Sequence, residues 1–213
     1  MSPAPWTSSE ESYLKALYSL TEWEDAPVTT GTIAAQLGVA PASATAMVSK
    51  LAGKGLMVHP RYGAITFTDS GRLAALSVVR RHRLIETFLL DELDYGWDEV
   101  HEEAELLEHT VSTRFIEALA ARLGHPAADP HGDPIPGPDG TLEMPPAIRL
   151  DRFEANGSPT LAILCRISDE DPELLRRCTD LGISPGSSIV LPHPELSNID
   201  ATMLWVLPAP HGA

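Results

Sequence analysis

Cysteine is almost absent from this chain: among 213 residues only Cys165 and Cys178 carry thiols, in apolar-flanked segments that match no metal-ligand spacing. That excludes a disulfide framework and a thiolate-held structural zinc, and both side chains are expected to be reduced, partly buried and chemically idle. No run approaches the roughly 20 apolar residues that a membrane span requires, and no basic start leads into an apolar stretch. Neither export nor insertion is expected, so the expected compartment is the cytosol. Basic residues are scarce too, 15 Lys and Arg against 30 Asp and Glu, a formal net charge of −15. A surface that is basic throughout, as for a protein coated by nucleic acid, is excluded.

The basic charge that is present lies together. From Ala26 to Arg83 stand Lys50, Lys54, Arg61, Arg72, Arg80, Arg81 and Arg83 against the single acid Asp69, seven minus one, a net of +6 that leaves −21 for the remainder. A compact basic segment on an acidic body fits a protein that meets phosphate with one face. Ahead of it, "SSEESYLKALYSL" has Ser8 and Glu11 at capping-box spacing and a helical stripe of Tyr13, Leu14, Leu17, Tyr18 and Leu20, which predicts a first helix. A short helix near Thr32 to Leu37, a turn at Gly38 and a helix from Pro41 to Gly53 then form a helix-turn-helix. Two strand-like runs flank Pro60-Arg61-Tyr62-Gly63, predicting a β-hairpin, the wing. Met47, Val48 and Leu51 are expected to face inward. Thr30, Ser43, Thr45, Ser49, Lys50 and Arg61 are the expected DNA-binding residues, with Lys54 a further phosphate contact: short side chains admit the helix backbone to the major groove, and the cations meet phosphate oxygens.

Beyond the wing, Thr68 or Asp69 can cap a long helix through "RRHRLIETFLLDEL". After a break at Tyr95-Gly96, a second long helix is expected to run to Gly124. On that second helix His101, Glu105, Glu108 and His109 fall at i, i+4, i+7 and i+8 and share a face, while Glu102 and Glu103 point elsewhere. The first long helix adds His82 and Glu86 at i, i+4. One such Glu/His pair is usually a salt bridge. Six donors on neighbouring helices are harder to explain structurally, because partly buried carboxylates repel one another unless a cation or a proton neutralises them. With carboxylate and imidazole ligands and no sulfur, the expected ion is Mn(II), or else Fe(II). Two other readings stand beside this one. A carboxylate-bridged dimetal enzyme would use Glu-x-x-His, a spacing missing here. A winged-helix regulator without metal control would carry the acids only as a solvated face.

The stretch from Gly124 to Pro146 is rich in Pro, Gly, Asp and His and marks a boundary. The organisation expected is therefore a winged helix-turn-helix over 1–72, a helical dimerisation and metal-binding part with its linker over 73–146, and a small β module over 147–213, mainly α in all. Leu84, Phe88, Leu89, Leu93, Val111, Phe115 and Leu119 exceed what one helical pair can bury and are expected to hold a homodimer.

The motifs "RRHRLIETFL", "DEVHEEAELLEH" and "DPHGDPIPG", behind a winged helix-turn-helix, resemble the diphtheria toxin repressor family of metal-dependent transcriptional regulators, most of all the actinobacterial manganese transport regulators. The likeness spans roughly residues 8 to 190. It implies no enzyme but a repressor of metal-transport genes that binds palindromic operator DNA as a homodimer when metal-loaded. It implies a primary metal site at Glu105, Glu108 and His109 with one ligand from the first helix, and an ancillary site at His82, Glu86 and His101. Iron-specific members carry Cys where this chain has Glu105, so the Glu resembles the manganese branch. Two departures matter. The first-helix ligand position is Ser12, for which Glu11 or water would substitute. The C-terminal module resembles the family's SH3-like domain but is shorter, and its two metal-facing positions match Arg166 and Asp169, of which only Asp169 can coordinate.

Overall fold

The computed structural model describes residues 6–154, 159–193 and 196–208. The chain divides into two compact units, one drawn from Met1–His82, Glu108–Thr110 and Pro136–Thr141, the other from Arg83–Leu107, Val111–Ile135 and Leu142–Ala213.

In the first unit, helix α1 (Ser8–Glu22) opens with a capping box one residue earlier than the spacing of Ser8 and Glu11 predicts. Thr7 is the cap: its hydroxyl accepts from Glu10 N, and the Glu10 carboxylate accepts from Thr7 N at 3.0 Å. The shift has a consequence, since it turns Glu11 away from capping and buries it with Glu10 on the inner side of the helix. Helix α2 (Thr30–Gln36) likewise begins before the expected Thr32, because Thr29 is the cap and Thr32 its reciprocal partner. Gly38, at φ +62°, makes the turn to α3 (Pro41–Gly53), whose Pro41 suits a first helical position. Strands β1 (Met57–Val58) and β2 (Thr66–Phe67) pair antiparallel and form the wing. Leu14, Leu17, Ile33, Leu51, Leu56 and Ile65 are fully buried between these elements, each contributing about 2 kcal/mol through burial.

Helix α4 (Asp69–Leu93) supplies the first unit with its residues up to His82 and the second unit with the rest. In the second unit Leu84, Ile85 and Leu89 of α4 pack against Val100 and Ala104 of α5 (Val100–Leu107) and Ile116, Leu119 and Ala120 of α6 (Thr113–Arg122). The single second helix expected up to Gly124 is therefore two. Ser112 breaks it, its hydroxyl accepting from Phe115 N at 3.2 Å and starting a new helix while α5 ends at Leu107. The expected set of dimer residues also changes: Leu84, Leu89 and Leu119 are spent in this core, whereas Leu93, Leu106 and Phe115 stay exposed. The C-terminal part forms an antiparallel sheet in the order β3 (Ile148–Arg149), β6 (Leu204–Pro208), β4 (Thr160–Ile167), β5 (Ser188–Leu191). A register shift between Leu164 and Arg166 bends β4, and α7 (Pro172–Asp180) covers the sheet with Leu174, Leu175 and Cys178. Among the described residues, no helix is long and apolar enough to cross a membrane.

Candidate metal centre and DNA-reading face

In the first unit α1, α4 and the turn at Glu108–Thr110 bring four potential ligands together. Because α5 stops at Leu107, Glu108 and His109 do not continue its face, as their spacing predicts, but stand in that turn. Glu108 is fully buried; its Oε2 accepts from Lys15 Nζ at 2.7 Å and lies 2.6 Å from His82 Nδ1. Burial alone would raise its pKa, and the adjacent His82 and Lys15 reverse this and hold it below the ordinary value. Its other oxygen, Oε1, accepts no hydrogen bond and lies 3.4 Å from His109 Nε2. A buried carboxylate oxygen left in that state is costly unless a cation completes it. His109 Nδ1 donates to Glu11 Oε2 at 2.8 Å, and Glu11 Oε1 pairs with Arg81 at 2.7 Å. Ser12, at the family's ligand position, instead lies 3.2 Å from His109 Nε2 through its hydroxyl. The carboxylate on α1 that faces this group is Glu11.

The second unit has donors of its own. His101 Nδ1 lies 2.9 Å from Asp169 Oδ2 and 3.3 Å from Glu86 Oε1, and its Nε2 is 3.7 Å from Glu105 one turn along α5. Burial pulls the His101 pKa down, but hydrogen bonds to Asp169 and Glu86 outweigh it and push the value up to about 11. Glu86 also forms a buried triad with Asp129 and His131, with one donor atom from each within 4.8 Å of the others. Burial, then the neighbouring carboxylates of Asp133 and Glu86, push the Asp129 pKa well up against the pull of Arg83. The His131 ring stacks on Trp97 with centroids 5.5 Å apart, and its Nε2 lies 3.2 Å from the Trp97 carbonyl. A carbonyl only accepts, so Nε2 donates to it, while Nδ1 is buried and without a hydrogen bond. That is the arrangement of a metal-ligating imidazole, whose second nitrogen is anchored by a carbonyl. Asp129 and His131 carry no expected role from periodicity, since they lie in a loop; the signal available was the pair of donors flanking Pro130 in "DPHGDPIPG". Arg166 reaches instead to Asp133 at 2.7 Å and stacks over Trp205. Asp169 alone of the two C-terminal candidates approaches the donor group.

On the helix-turn-helix, Ser43, Thr45, Ser49 and Lys50 of α3 are exposed, as is Arg61 on the wing, and Thr30 is partly exposed at the start of α2. Lys50 and Lys54 both reach back to Glu10 of α1, at 3.0 and 2.6 Å. Lys54 first and then the Thr7 backbone hold the Glu10 pKa down to about 2. Tyr62 beside Arg61 is the most exposed large hydrophobic side chain of the wing.

Models of known families match both parts: the iron dependent repressor N-terminal DNA binding domain over residues 6–65, and the iron dependent repressor metal binding and dimerisation domain over residues 68–137. The iron-dependent repressor IdeR of Mycobacterium tuberculosis (strain ATCC 25618 / H37Rv) is 30% identical over 191 residues, spanning 85% of this chain and 82% of the relative. The chain belongs to the diphtheria toxin repressor family of metal-dependent transcriptional repressors. The diphtheria toxin repressor of Corynebacterium jeikeium (strain K411) is 27% identical, over 85% of this chain and 83% of that protein. Among solved structures, a manganese-dependent transcriptional repressor in complex with manganese is 41% identical with a TM-score of 0.85, covering 93% of this chain and 99% of that one. ScaR with bound Zn2+ is 31% identical at a TM-score of 0.74, over 93% and 99%. These relatives are repressors and not enzymes, and the shared fold extends through the small C-terminal sheet.

Proposed function

We propose that this protein is a manganese-responsive repressor, with Fe(II) as the second candidate ion, that binds palindromic operator DNA as a homodimer in the cytoplasm and silences metal-transport genes. The observation that carries the reading is the donor set: carboxylates and imidazoles with buried, unsatisfied Glu108 Oε1 and His131 Nδ1, in a chain that also has a winged helix-turn-helix. The residues that would hold metal are His82, Glu86, His101, Glu105, Glu108 and His109, as the resemblance implies, joined by Glu11, Asp129, His131 and Asp169. All are oxygen or imidazole donors, which suits Mn(II) and gives no advantage to thiolate-seeking ions. The bound ion would supply positive charge that neutralises these carboxylates. Glu11 belongs to α1, whose neighbour Glu10 grips Lys50 and Lys54 of α3, so what fixes Glu11 also bears on the reading helix. Two readers related by a twofold axis then require a palindrome. The three-part division at residues 72 and 146 belongs to the same proposal.

The test is fluorescence anisotropy on operator DNA from the promoter of a neighbouring metal-transport gene, without metal, with Mn(II), and with Fe(II) under anaerobic conditions. Tightening of at least about tenfold (1.4 kcal/mol) by Mn(II) is expected. Equal affinity with and without metal would leave a winged-helix regulator without metal control as the surviving interpretation.

A further inference from the structure

Lys15 is placed four residues after Glu11 on α1 and so shares the helix face that carries Glu11. Its side chain is 12% exposed, which is unusual for a lysine, and the ammonium is directed at two residues of the metal set: 2.7 Å from Glu108 Oε2 and 3.3 Å from His82 Nδ1. An ammonium has three donors and no lone pair, so it cannot serve as a ligand; it can only satisfy acceptors. At Glu108 it performs the electrostatic task of a bound ion, supplying positive charge to a carboxylate that is fully buried. An ion completing Oε1 and the ammonium on Oε2 would share one carboxylate, and at roughly 4 Å in a partly desolvated site their repulsion sets the two against each other.

We infer, on the basis of the metal-activated reading above, that Lys15 is a tethered competitor for the metal: its ammonium neutralises Glu108 in the metal-free protein and has to give way when an ion binds that carboxylate. The free energy of that release is subtracted from metal affinity, so Lys15 sets the Mn(II) concentration at which the repressor switches. The same contact keeps Glu108 neutralised in the metal-free form, where an unpaired buried carboxylate would otherwise weaken the fold.

The experiment compares full-length wild type, Lys15→Ala and Lys15→Arg. Mn(II) binding is followed by the electron paramagnetic resonance of free Mn(II), and Tm is measured without metal and at saturating Mn(II). Lys15→Ala is expected to bind Mn(II) about tenfold tighter. Its Tm should fall without metal and match wild type when saturated. Lys15→Arg, which keeps the charge, should stay within about threefold of wild type in affinity. Affinity in Lys15→Ala equal to or weaker than wild type overturns the inference and leaves the functional proposal standing, whereas a wild type that binds no Mn(II) overturns both. A second measurement needs no variant. The chain has three lysines, Lys15, Lys50 and Lys54, and acetylation of each by acetic anhydride is read by peptide mass spectrometry. Mn(II) should accelerate acetylation of Lys15 relative to the other two, and unchanged or slower acetylation overturns the inference.

Discussion

Glu105 and His101 lie one turn apart on α5, and each gives a prediction at the scale of a single side chain. A carboxylate at 105 is a hard donor, and the order of divalent affinities runs against Mn(II), so ligand type must provide the preference. Glu105→Cys should shift activation of operator binding from Mn(II) toward Fe(II), measured by parallel anaerobic titrations. Glu102→Ala, on the exposed side of the helix, should leave both curves in place. An unchanged Mn-to-Fe ratio in Glu105→Cys would remove Glu105 from the site. For His101 the pKa is raised from 6.5 to about 11. A raised value means that the charged imidazole stabilises the metal-free fold fully below pH 6.5 and that this contribution is lost as pH rises through about 11. Tm of the metal-free protein should therefore decline across that window, and His101→Gln should flatten the decline. A ligand must also shed its proton to bind. Mn(II) uptake should thus release protons well above the pH 6 to 7 range expected for ordinary imidazole, which calorimetry in buffers of different ionisation enthalpy would detect.

At the scale of elements, the capping box of α1 and the loop holding His131 make the most exposed claims. Glu10 both caps α1 and pairs with Lys50 and Lys54, and its lowered pKa means that its contribution is present above pH 4.5 and lost as pH falls through about 2. Glu10→Gln should cost about 1 kcal/mol at neutral pH, since the lysine partners are partly exposed and screened; urea unfolding would measure it. Gly132, at φ +92°, is required by close approach: a Cβ there would stand 2.0 Å from the Cys165 carbonyl oxygen. Gly132→Ala should destabilise by about 3 kcal/mol and weaken Mn(II) binding with it, because His131 adjoins the displaced backbone. These elements differ in how far their sequence announced them. Pro41 and Gly53 bounded α3 to the residue. The division of α5 from α6 was hidden because helical apolar spacing continues across Glu108–Ser112, while the one-hydroxyl signal of Ser112 is short-range. Strand β3, two residues long, is too brief for any period. Of the donor set, His82, Glu86, His101 and Glu105 were legible through i, i+4 spacing, and Glu108 and His109 through the same count although they stand in a turn, whereas Asp129 and His131 depend on a loop folded by long-range contacts such as Ile167 N to the His131 carbonyl. Lys15 was visible only as a polar position on an amphipathic helix.

For the whole molecule, the exposed apolar side chains Leu93, Leu106 and Phe115, all in the second unit, remain for a twofold partner, Leu106 at 72% exposure. Leu106→Glu combined with Phe115→Glu should convert dimer to monomer in sedimentation velocity while far-ultraviolet circular dichroism is retained, and an unchanged dimer would move the interface elsewhere. The grip of Glu10 on Lys50 and Lys54 bears on how such a dimer travels. Attraction to random DNA grows with the number of phosphates that free cations can neutralise. Here one carboxylate is shared between two of the three lysines, on a chain of net charge −15. Random chromosomal sequence should therefore retain the metal-free repressor only briefly, so that the population of molecules stays in solution, equilibrated with the cell's metal rather than buffered by the genome.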